Sequence, residues 1–162
     1  KKKLEDADLI IGAGQAGLAL TKAEQTKRLV QAVTHPRLSI LSHPTGRSVG
    51  EREPFDVDMA KVAKAAAQAG TALELSADPA RMDLTDIHCH TAQEVGAQIS
   101  VTAEAIRPAE FERLTLGIVQ ARRGWLGPSD VLNVRSAADL TKTFRTQKTN
   151  KTAKEPVHAG SA

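Results

Sequence analysis

Residues 38–47 read Leu38-Ser39-Ile40-Leu41-Ser42-His43-Pro44-Thr45-Gly46-Arg47, an apolar run that ends in a histidine and then breaks at a proline and a glycine. This pattern predicts a short buried strand whose C-terminal end presents His43 and, a few residues on, Arg47. Sites in α/β proteins are built at the carboxyl ends of strands, and an imidazole with a guanidinium suits a metal with a phosphate, or a phosphate alone. The alternative is a surface loop that carries an isolated histidine and arginine.

Apolar runs and helical patterns alternate on both sides of this stretch. Strands are predicted at residues 9–11, 38–41, 72–75 and 98–102. Helices are predicted from Thr21 to about Val33, from an Asp56 or Asp58 cap to Ala69, over 84–95 and 109–122, then from Ser129 and from Ser136 to about Arg145. Repeated βα units of this kind predict an α/β protein with a parallel sheet, either open and doubly wound or part of a barrel. Four strands cannot close a barrel, so the barrel alternative requires a further N-terminal portion.

The domain organisation is predicted to be simple. A chain of 162 residues is long enough for one domain with its own core. Residues 1–145 are expected to form the α/β domain, and the polar segment 146–162 a disordered tail.

Composition excludes several classes of function. Aromatic residues make up only 2% of the chain, which disfavours base-stacking platforms for single-stranded nucleic acid. The net charge of +3 owes much to Lys1–Lys3 and the C-terminal segment, so it does not form a basic face. The single cysteine excludes an internal disulfide and a multi-cysteine zinc site. Without an apolar run of about 20 residues or a signal peptide, no membrane contact is predicted and a cytoplasmic location is expected.

A glycine-rich run, Gly12-Ala13-Gly14-Gln15-Ala16-Gly17, follows the first strand and looks like a flavin- or nicotinamide-binding fingerprint. Two features argue against that function. The capping box Thr21-Lys22-Ala23-Glu24 starts the helix later than the fingerprint requires. The second strand ends in Ser42-His43 rather than in the acidic residue that would hold a ribose. A plain glycine-rich turn is therefore favoured, and a dinucleotide-binding oxidoreductase is the less favoured alternative.

A second histidine cluster, His88-Cys89-His90, lies inside a predicted helix. Residues two apart on a helix point about 200° away from each other, so the two histidines cannot share one ion. Surface histidines and a buried, unreactive cysteine are the favoured interpretation.

Two groups of arginines have competing interpretations. Arg81 and Asp83 follow the third strand and either line the same rim as His43 or form a salt-bridged capping loop. The stretch with Arg122, Arg123 and Trp125 could form a cation-π cluster or a DNA-facing patch, but a structural lock for the final helix is favoured.

Several stretches together resemble the PHP (polymerase and histidinol phosphatase) domain of bacterial family X DNA polymerases. The resemblance covers roughly residues 5–145, and its most specific parts are His-Pro-Thr-Gly-Arg at 43–47 and Ala-Arg-Arg-Gly-Trp-Leu at 121–126. Its other carriers are Glu24-Gln25-Thr26, Ile40-Leu41-Ser42, Gly50-Glu51-Arg52-Glu53-Pro54-Phe55-Asp56-Val57-Asp58, Ala72-Leu73-Glu74-Leu75, Asp78-Pro79-Ala80-Arg81-Met82-Asp83-Leu84 and Pro108-Ala109-Glu110-Phe111.

The resemblance implies a fold and a chemistry. The fold is a distorted seven-stranded, TIM-like β/α barrel, of which this chain would be the C-terminal portion. Metal ions held by His, Asp and Glu at the strand ends activate water for phosphoester hydrolysis, associated with 3′-to-5′ exonuclease activity in DNA repair. The implied partners are DNA, the missing N-terminal half of the domain, a polymerase domain, or a second copy through self-association.

The resemblance carries over few of the family's metal ligands. His43 matches a ligand position, and Glu104 stands where the family has an aspartate. Gln15 and Ile106 occupy positions where the family has histidines. Divalent Zn or Mn is therefore expected to bind at most weakly, through His43 and Glu104, with Arg47 and Arg81 as phosphate-binding candidates.

No residue is assigned as catalytic, and hydrolysis is expected to be impaired or lost. The alternative function is that of a non-catalytic scaffold or binding module. His43, Glu74 and Glu104 each lie in or just after an apolar run, so they are expected at one end of the sheet.

Overall fold

The computed structural model describes residues 7–14 and 19–152, and within 145–152 it describes the backbone alone. Strands and helices alternate over these residues as β1 (Ile11–Ala13), α1 (Lys22–Thr34), β2 (Ile40–Ser42), α2 (Met59–Ala69), β3 (Ala72–Ser76), α3 (Asp86–Glu94), β4 (Ile99–Thr102), α4 (Leu114–Arg123) and α5 (Ala137–Thr152). Short 3-10 helices at Pro108–Arg113, Pro128–Asp130 and Leu132–Val134 join the last elements. None of the described helices has the length and apolar character needed to cross a membrane.

The four strands form one parallel sheet in the order β1-β2-β3-β4, which confirms the predicted α/β class. Since every crossover steps in the same direction, the right-handed rule places the connecting helices on one face of the sheet. A barrel wall is built in this way, whereas a doubly wound sheet carries helices on both faces.

The main core lies between the sheet and α1–α4. Alternate strand residues point into it, and helix residues pack against them: Leu41, Leu73, Leu75, Ile99 and Val101 meet Leu29, Val33, Val62, Cys89, Ala92 and Ala121. A smaller cluster covers the beginnings of β2 and β3 on the second face of the sheet, where Ile40 and Ala72 contact Leu132 and Phe144. Side chains that lie further along the strands on this second face are polar, and they form the site described below.

The predicted starts of α1 and α2 are confirmed, because their signals are local. Thr21 and Glu24 form the expected capping box at the start of α1. Asp58 accepts a hydrogen bond from the N–H of Lys61 at the start of α2, and Gly70 ends that helix in the left-handed conformation.

Several elements differ from the sequence-based expectation. The helix predicted over 109–122 begins as the 3-10 helix Pro108–Arg113, and the helix predicted from Ser129 is replaced by two 3-10 helices. β1 begins at Ile11 rather than Leu9 and includes Gly12, where a side chain would collide with Leu38, which lies just before β2. α5 continues to Thr152 rather than fraying near Arg145, since no glycine or proline interrupts the chain before Pro156. The predicted disorder of the tail remains a prediction for residues 153–162, which lie outside the described residues.

The outer edge of β4 is covered by the chain itself. Ile99 forms a parallel bridge with Val131. The amide side chain of Asn133 then accepts from the N–H of Val101 at 2.9 Å and donates to its carbonyl at 2.8 Å. Asn133 thus pairs with β4 as another strand would.

Candidate metal centre

Three neighbouring parallel strands each end in a residue with a hydroxyl group, so the three hydroxyls lie at the same end of the sheet. Ser42 ends β2, Ser76 ends β3 and Thr102 ends β4. His43 follows β2 directly, and Glu104 lies two residues beyond β4. The strand register therefore gathers an imidazole, a carboxylate and three hydroxyls at the carboxyl ends of the strands, where sites in such folds form.

Glu74 lies in the middle of β3 and points to the second face. Its neighbours Leu73 and Leu75 are fully buried in the main core, so the alternation of side chains along a strand sends Glu74 the other way. Only 5% of Glu74 is exposed, which makes it a buried acid that requires hydrogen-bond donors.

The Glu74 carboxylate receives those donors from both neighbouring strands. Its Oε2 accepts from the Ser42 hydroxyl at 2.5 Å and from the backbone N–H of His43 at 2.9 Å. Its Oε1 accepts from the Thr102 hydroxyl at 2.8 Å. One buried carboxylate thus ties the ends of β2 and β4 to β3.

His43 brings an unpaired ring nitrogen to the same place. Its Nδ1 lies 3.4 Å from Oε2 of Glu74 and 3.7 Å from Oε1 of Glu104, yet this buried atom has no hydrogen-bond partner among the described residues. The backbone of His43 has φ 49° and that of Glu104 has φ 47°. Such left-handed conformations cost energy for residues other than glycine and are concentrated at functional sites.

Glu104 also contacts two groups from the third strand and the loop that follows it. The Ser76 hydroxyl donates to its Oε1. Nε of Arg81 lies 3.4 Å from its Oε2, and Nη1 of Arg81 is buried without a partner among the described atoms. Arg81 therefore places a positive charge at the rim, as one of its two interpretations predicted.

Asp83 is buried behind this rim and holds the loop after His43. Its Oδ2 accepts from the N–H of Thr45 at 3.0 Å, and its Oδ1 accepts from the Thr45 hydroxyl at 2.9 Å. Burial raises the pKa of the Asp83 carboxyl, although the two hydrogen bonds from Thr45 act in the opposite direction. The loop that carries His43 is thus fixed by a buried acid on the adjacent loop.

The imidazole of His43 and the carboxylates of Glu74 and Glu104 form a potential metal site. One ligand atom from each of His43, Glu74 and Glu104 lies within 4.8 Å of the other two. A nitrogen with two carboxylate oxygens suits Zn or Mn. The predicted meeting of these three residues at one end of the sheet is confirmed.

Neither Arg47 nor Ile106 makes a described hydrogen bond or ion pair with this cluster. Arg47 is half-buried. Ile106 is 92% exposed. Gln15 lies outside the described residues, so its position relative to His43 is untested.

A comparison with known proteins adds an evolutionary relationship. The chain is 33% identical over 137 residues to the DNA polymerase/3′-5′ exonuclease PolX of Bacillus subtilis (strain 168). It is a distant relative of PolX. The match covers 85% of this chain but only 24% of PolX, so the chain spans about a quarter of the length of that relative. No protein-family model matches the chain.

The described part of the glycine run serves packing. The N–H of Gly14 donates to the carbonyl of Ser42 at 2.7 Å, and a Cβ on Gly14 would lie 2.8 Å from the carbonyl oxygen of His43. Among the described residues, the first helix after β1 begins at Lys22, five residues after Gly17, as the capping box predicted, and this late start does not favour the dinucleotide alternative.

The arginine- and tryptophan-containing stretch packs the end of α4 against α3. The favoured interpretation, a structural lock for the final helix, stays a prediction. Nη2 of Arg123 lies 2.8 Å from Oδ2 of Asp86, which lowers the pKa of that acid. The Trp125 ring lies 5.9 Å from the ring of His90. Gly124 packs so closely on α3 that an added Cβ would lie 2.9 Å from the carbonyl oxygen of Asp86.

The histidine pair on α3 does not form a shared site. His88 is half-buried, which lowers the pKa of its imidazole, while His90 is exposed. Cys89 between them is fully buried, as predicted, and burial raises the pKa of its thiol to about 12.

The hydroxyl groups of the site were not predicted from the sequence. A serine or threonine closes each of β2, β3 and β4, and this recurrence is visible in the sequence. What the recurrence does not reveal is that two of these hydroxyls converge on Glu74, because that depends on the register of strands about 30 residues apart in the chain.

Proposed function

We propose that this chain is the C-terminal portion of a PHP-type domain in a PolX-like DNA repair protein. Its site would be that of a metal-dependent phosphoesterase, of the 3′-to-5′ exonuclease kind, with impaired or lost hydrolysis. The relationship to PolX supports the type of protein, and the cluster at the strand ends supports the type of site.

One observation carries the proposal of a cation site. Nδ1 of His43 is buried, faces two carboxylates and has no hydrogen-bond partner among the described residues. A buried polar atom normally has a partner, so an exception at the carboxyl ends of parallel strands calls for an explanation. A divalent cation between the imidazole and the carboxylates would supply that partner.

The residues that would hold the ion are His43, Glu74 and Glu104. A bound divalent cation there would polarise a phosphate ester and lower the pKa of a bound water. Arg81, which already reaches Glu104, would add a positive charge for a phosphate oxygen. Arg47 remains a second phosphate-binding candidate, from the loop that Asp83 holds in place.

The same contacts explain why binding would be weak. A carboxylate offers about four lone-pair sites, and three of those on Glu74 already accept hydrogen bonds. Glu104 accepts from Ser76 and lies beside Arg81, whose charge competes with a cation. With few free lone pairs, the site would hold much less than one ion per chain under ordinary conditions.

A non-catalytic scaffold is the second candidate. It is favoured by the way in which hydroxyls, a backbone N–H and Arg81 already satisfy the two carboxylates without an ion. In this case the cluster would join three strand ends, and DNA or a polymerase domain would be bound elsewhere on the longer protein.

Metal content separates the two functions. After dialysis, elemental analysis should find well under one Zn or Mn per chain, and Mn²⁺ titration followed by electron paramagnetic resonance should show weak binding. His43→Ala should weaken that binding by at least about tenfold, whereas His90→Ala, at an exposed position, should not change it. Equal Mn²⁺ binding by both variants would identify the scaffold as the better description.

Activity then tests the extent of impairment. Bis(p-nitrophenyl) phosphate and a 3′-recessed DNA duplex should be hydrolysed with little or no stimulation by Mn²⁺. Stoichiometric metal together with strong, His43-dependent hydrolysis would contradict the proposed loss of catalysis.

A further inference from the structure

Arg81 stands at the rim of the site on a backbone that is fixed from both sides. Its own N–H and that of Met82 donate to the carbonyl of Asp78, each at 2.8 Å. The N–H of Val49, from the neighbouring loop, donates to the carbonyl of Ala80 at 2.7 Å. The backbone of the loop after β3 is therefore held in place, and the side chain of Arg81 is the part that can change position.

The guanidinium of Arg81 is held less firmly than that of Arg52 on the adjacent loop. Nε and Nη2 of Arg52 both donate to the carbonyl of Gly46, at 2.9 and 2.7 Å. Among the described residues, the Arg81 side chain has one ion pair with Glu104 at 3.4 Å, and its buried Nη1 has no acceptor. A buried donor without an acceptor is costly, so the position against Glu104 leaves part of the guanidinium unsatisfied.

The same position controls whether Glu104 is available to a cation. Arg81 lies beside Oε2 of Glu104, and the Ser76 hydroxyl donates to Oε1. His43, which is only 8% exposed, holds its unpartnered Nδ1 at 3.7 Å from this carboxylate. The site thus has a nitrogen ligand that is open to an ion and a carboxylate ligand that a guanidinium occupies.

A phosphate group offers Arg81 a better partner than Glu104 does. A guanidinium can donate two parallel hydrogen bonds to two phosphate oxygens, whereas Glu104 provides one long contact. The side chains of Arg81 and Glu104 are each 25% exposed, so an anion from solvent can reach them. On a phosphate, Arg81 would use the donor that now lacks an acceptor, and Oε2 of Glu104 would be released.

We infer that Arg81 is a tethered cation that moves between Glu104 and a phosphate group, so that a phosphate and a divalent cation strengthen each other's binding. The inference rests on the proposed metal site and adds its regulation. Coupling between two ligands is reciprocal, so each raises the affinity of the other by the same factor. Without a phosphate, Arg81 competes with the ion for Glu104. The weak metal binding expected of the chain alone would then be a property of the phosphate-free state.

Mn²⁺ titration of the full 162-residue chain, with and without dimethyl phosphate, tests the coupling. Dimethyl phosphate is a phosphodiester monoanion that binds Mn²⁺ only weakly in solution, and sodium chloride keeps the ionic strength equal. The anion should raise the affinity for Mn²⁺, followed by electron paramagnetic resonance, by at least about fivefold. In the metal-free chain, the NMR signal of the Arg81 Nε–H group should shift as the anion is added.

Arg81→Met separates this coupling from a direct bridge between the anion and the ion. Without the anion, the variant should bind Mn²⁺ more tightly than the unaltered chain does, and the anion should then change its affinity by less than about twofold. Arg107→Met removes an arginine whose side chain is 82% exposed on the loop after β4, and it should keep the full effect. Circular dichroism establishes that both variants are folded. If Arg81→Met is not, the anion dependence and the NMR shift of the unaltered chain carry the test.

Three results would overturn the inference, and they can be told apart. An equal gain from the anion in the unaltered chain and in Arg81→Met would mean that the anion contacts the ion directly. Mn²⁺ binding that requires His43 but does not respond to the anion would reject the coupling and leave the proposed metal site standing. If His43→Ala weakens no Mn²⁺ binding, with or without the anion, the metal site is rejected together with the coupling.

Discussion

Nε of Arg81 lies 3.4 Å from Oε2 of Glu104, the carboxylate that also faces Nδ1 of His43. The Arg81 guanidinium thus occupies one side of the Glu104 carboxylate, which a metal ion would need as a ligand. Whether Arg81 competes with a cation or assists a phosphate, its removal has a measurable effect.

Arg81→Met should raise the affinity for Mn²⁺ severalfold. Losing a positive charge close to Glu104 is worth on the order of 1 kcal/mol at a partly exposed site. Calorimetric titration of Mn²⁺ measures the change, and Arg122→Met on the exposed side of α4 is the control. Weaker Mn²⁺ binding by Arg81→Met would indicate that Arg81 orients Glu104 rather than competing for it.

Glu74→Ala should lower the free energy of unfolding by about 3 kcal/mol. The substitution leaves two hydroxyls and the N–H of His43 without their acceptor in a buried place. Urea denaturation gives the value. Glu94→Ala, whose side chain is 62% exposed, should change stability by no more than about 0.5 kcal/mol. Equal losses of stability in the two variants would mean that the hydrogen bonds to Glu74 make no specific contribution to the free energy of unfolding.

Asp83 should make stability fall as the pH rises. Its pKa is raised by burial in the folded chain, so the folded state holds a proton that the unfolded state has released. The contribution of Asp83 to stability is fully present at pH values below the pKa of an unfolded aspartate, about 3.9. It is lost as the pH rises through the higher pKa of Asp83 in the folded chain. Asp83→Asn can retain both contacts with Thr45 and should flatten this part of the pH profile. Urea unfolding across the acidic range checks it, and Asp56→Asn should leave the slope intact.

Gly124→Ala should destabilise the α3–α4 contact by about 1–3 kcal/mol, because the added methyl group collides with Cys89 and Asp86. Gly127→Ala is the matched control, since its nearest neighbour to an added Cβ is the Asp130 carboxylate at 3.8 Å. Thermal unfolding of the two variants compares them directly. A similar loss in both would assign the effect to the backbone of the turn rather than to packing.

Local signals in the sequence predicted more of this structure than long-range relationships did. Thr21, Asp58 and Gly70 act within one helical turn, so their capping roles could be predicted from spacing alone. The placement of His43 at the end of a strand also followed from a local pattern. The bounds of β1 were missed, since the strand runs from Ile11 to Ala13 and includes a glycine, a residue that apolar patterning does not assign to a strand.

The site itself was predicted in part. Repeated apolar runs predicted that His43, Glu74 and Glu104 lie at one end of the sheet. They did not predict that Ser42 and Thr102 would use most of the hydrogen-bonding capacity of Glu74, or that Arg81 would reach Glu104. These contacts join residues from different strands and loops, and their geometry follows from the sheet as a whole.

The Asn133 side chain that pairs with Val101 also limits how copies of this sheet can join. Head-to-tail addition, with β1 of one copy against β4 of the next, would generate an open filament. Because β4 is already paired with its own chain, that polymer has no second attachment point. Edge-to-edge association can therefore produce a closed pair through β1 but not a growing fibre.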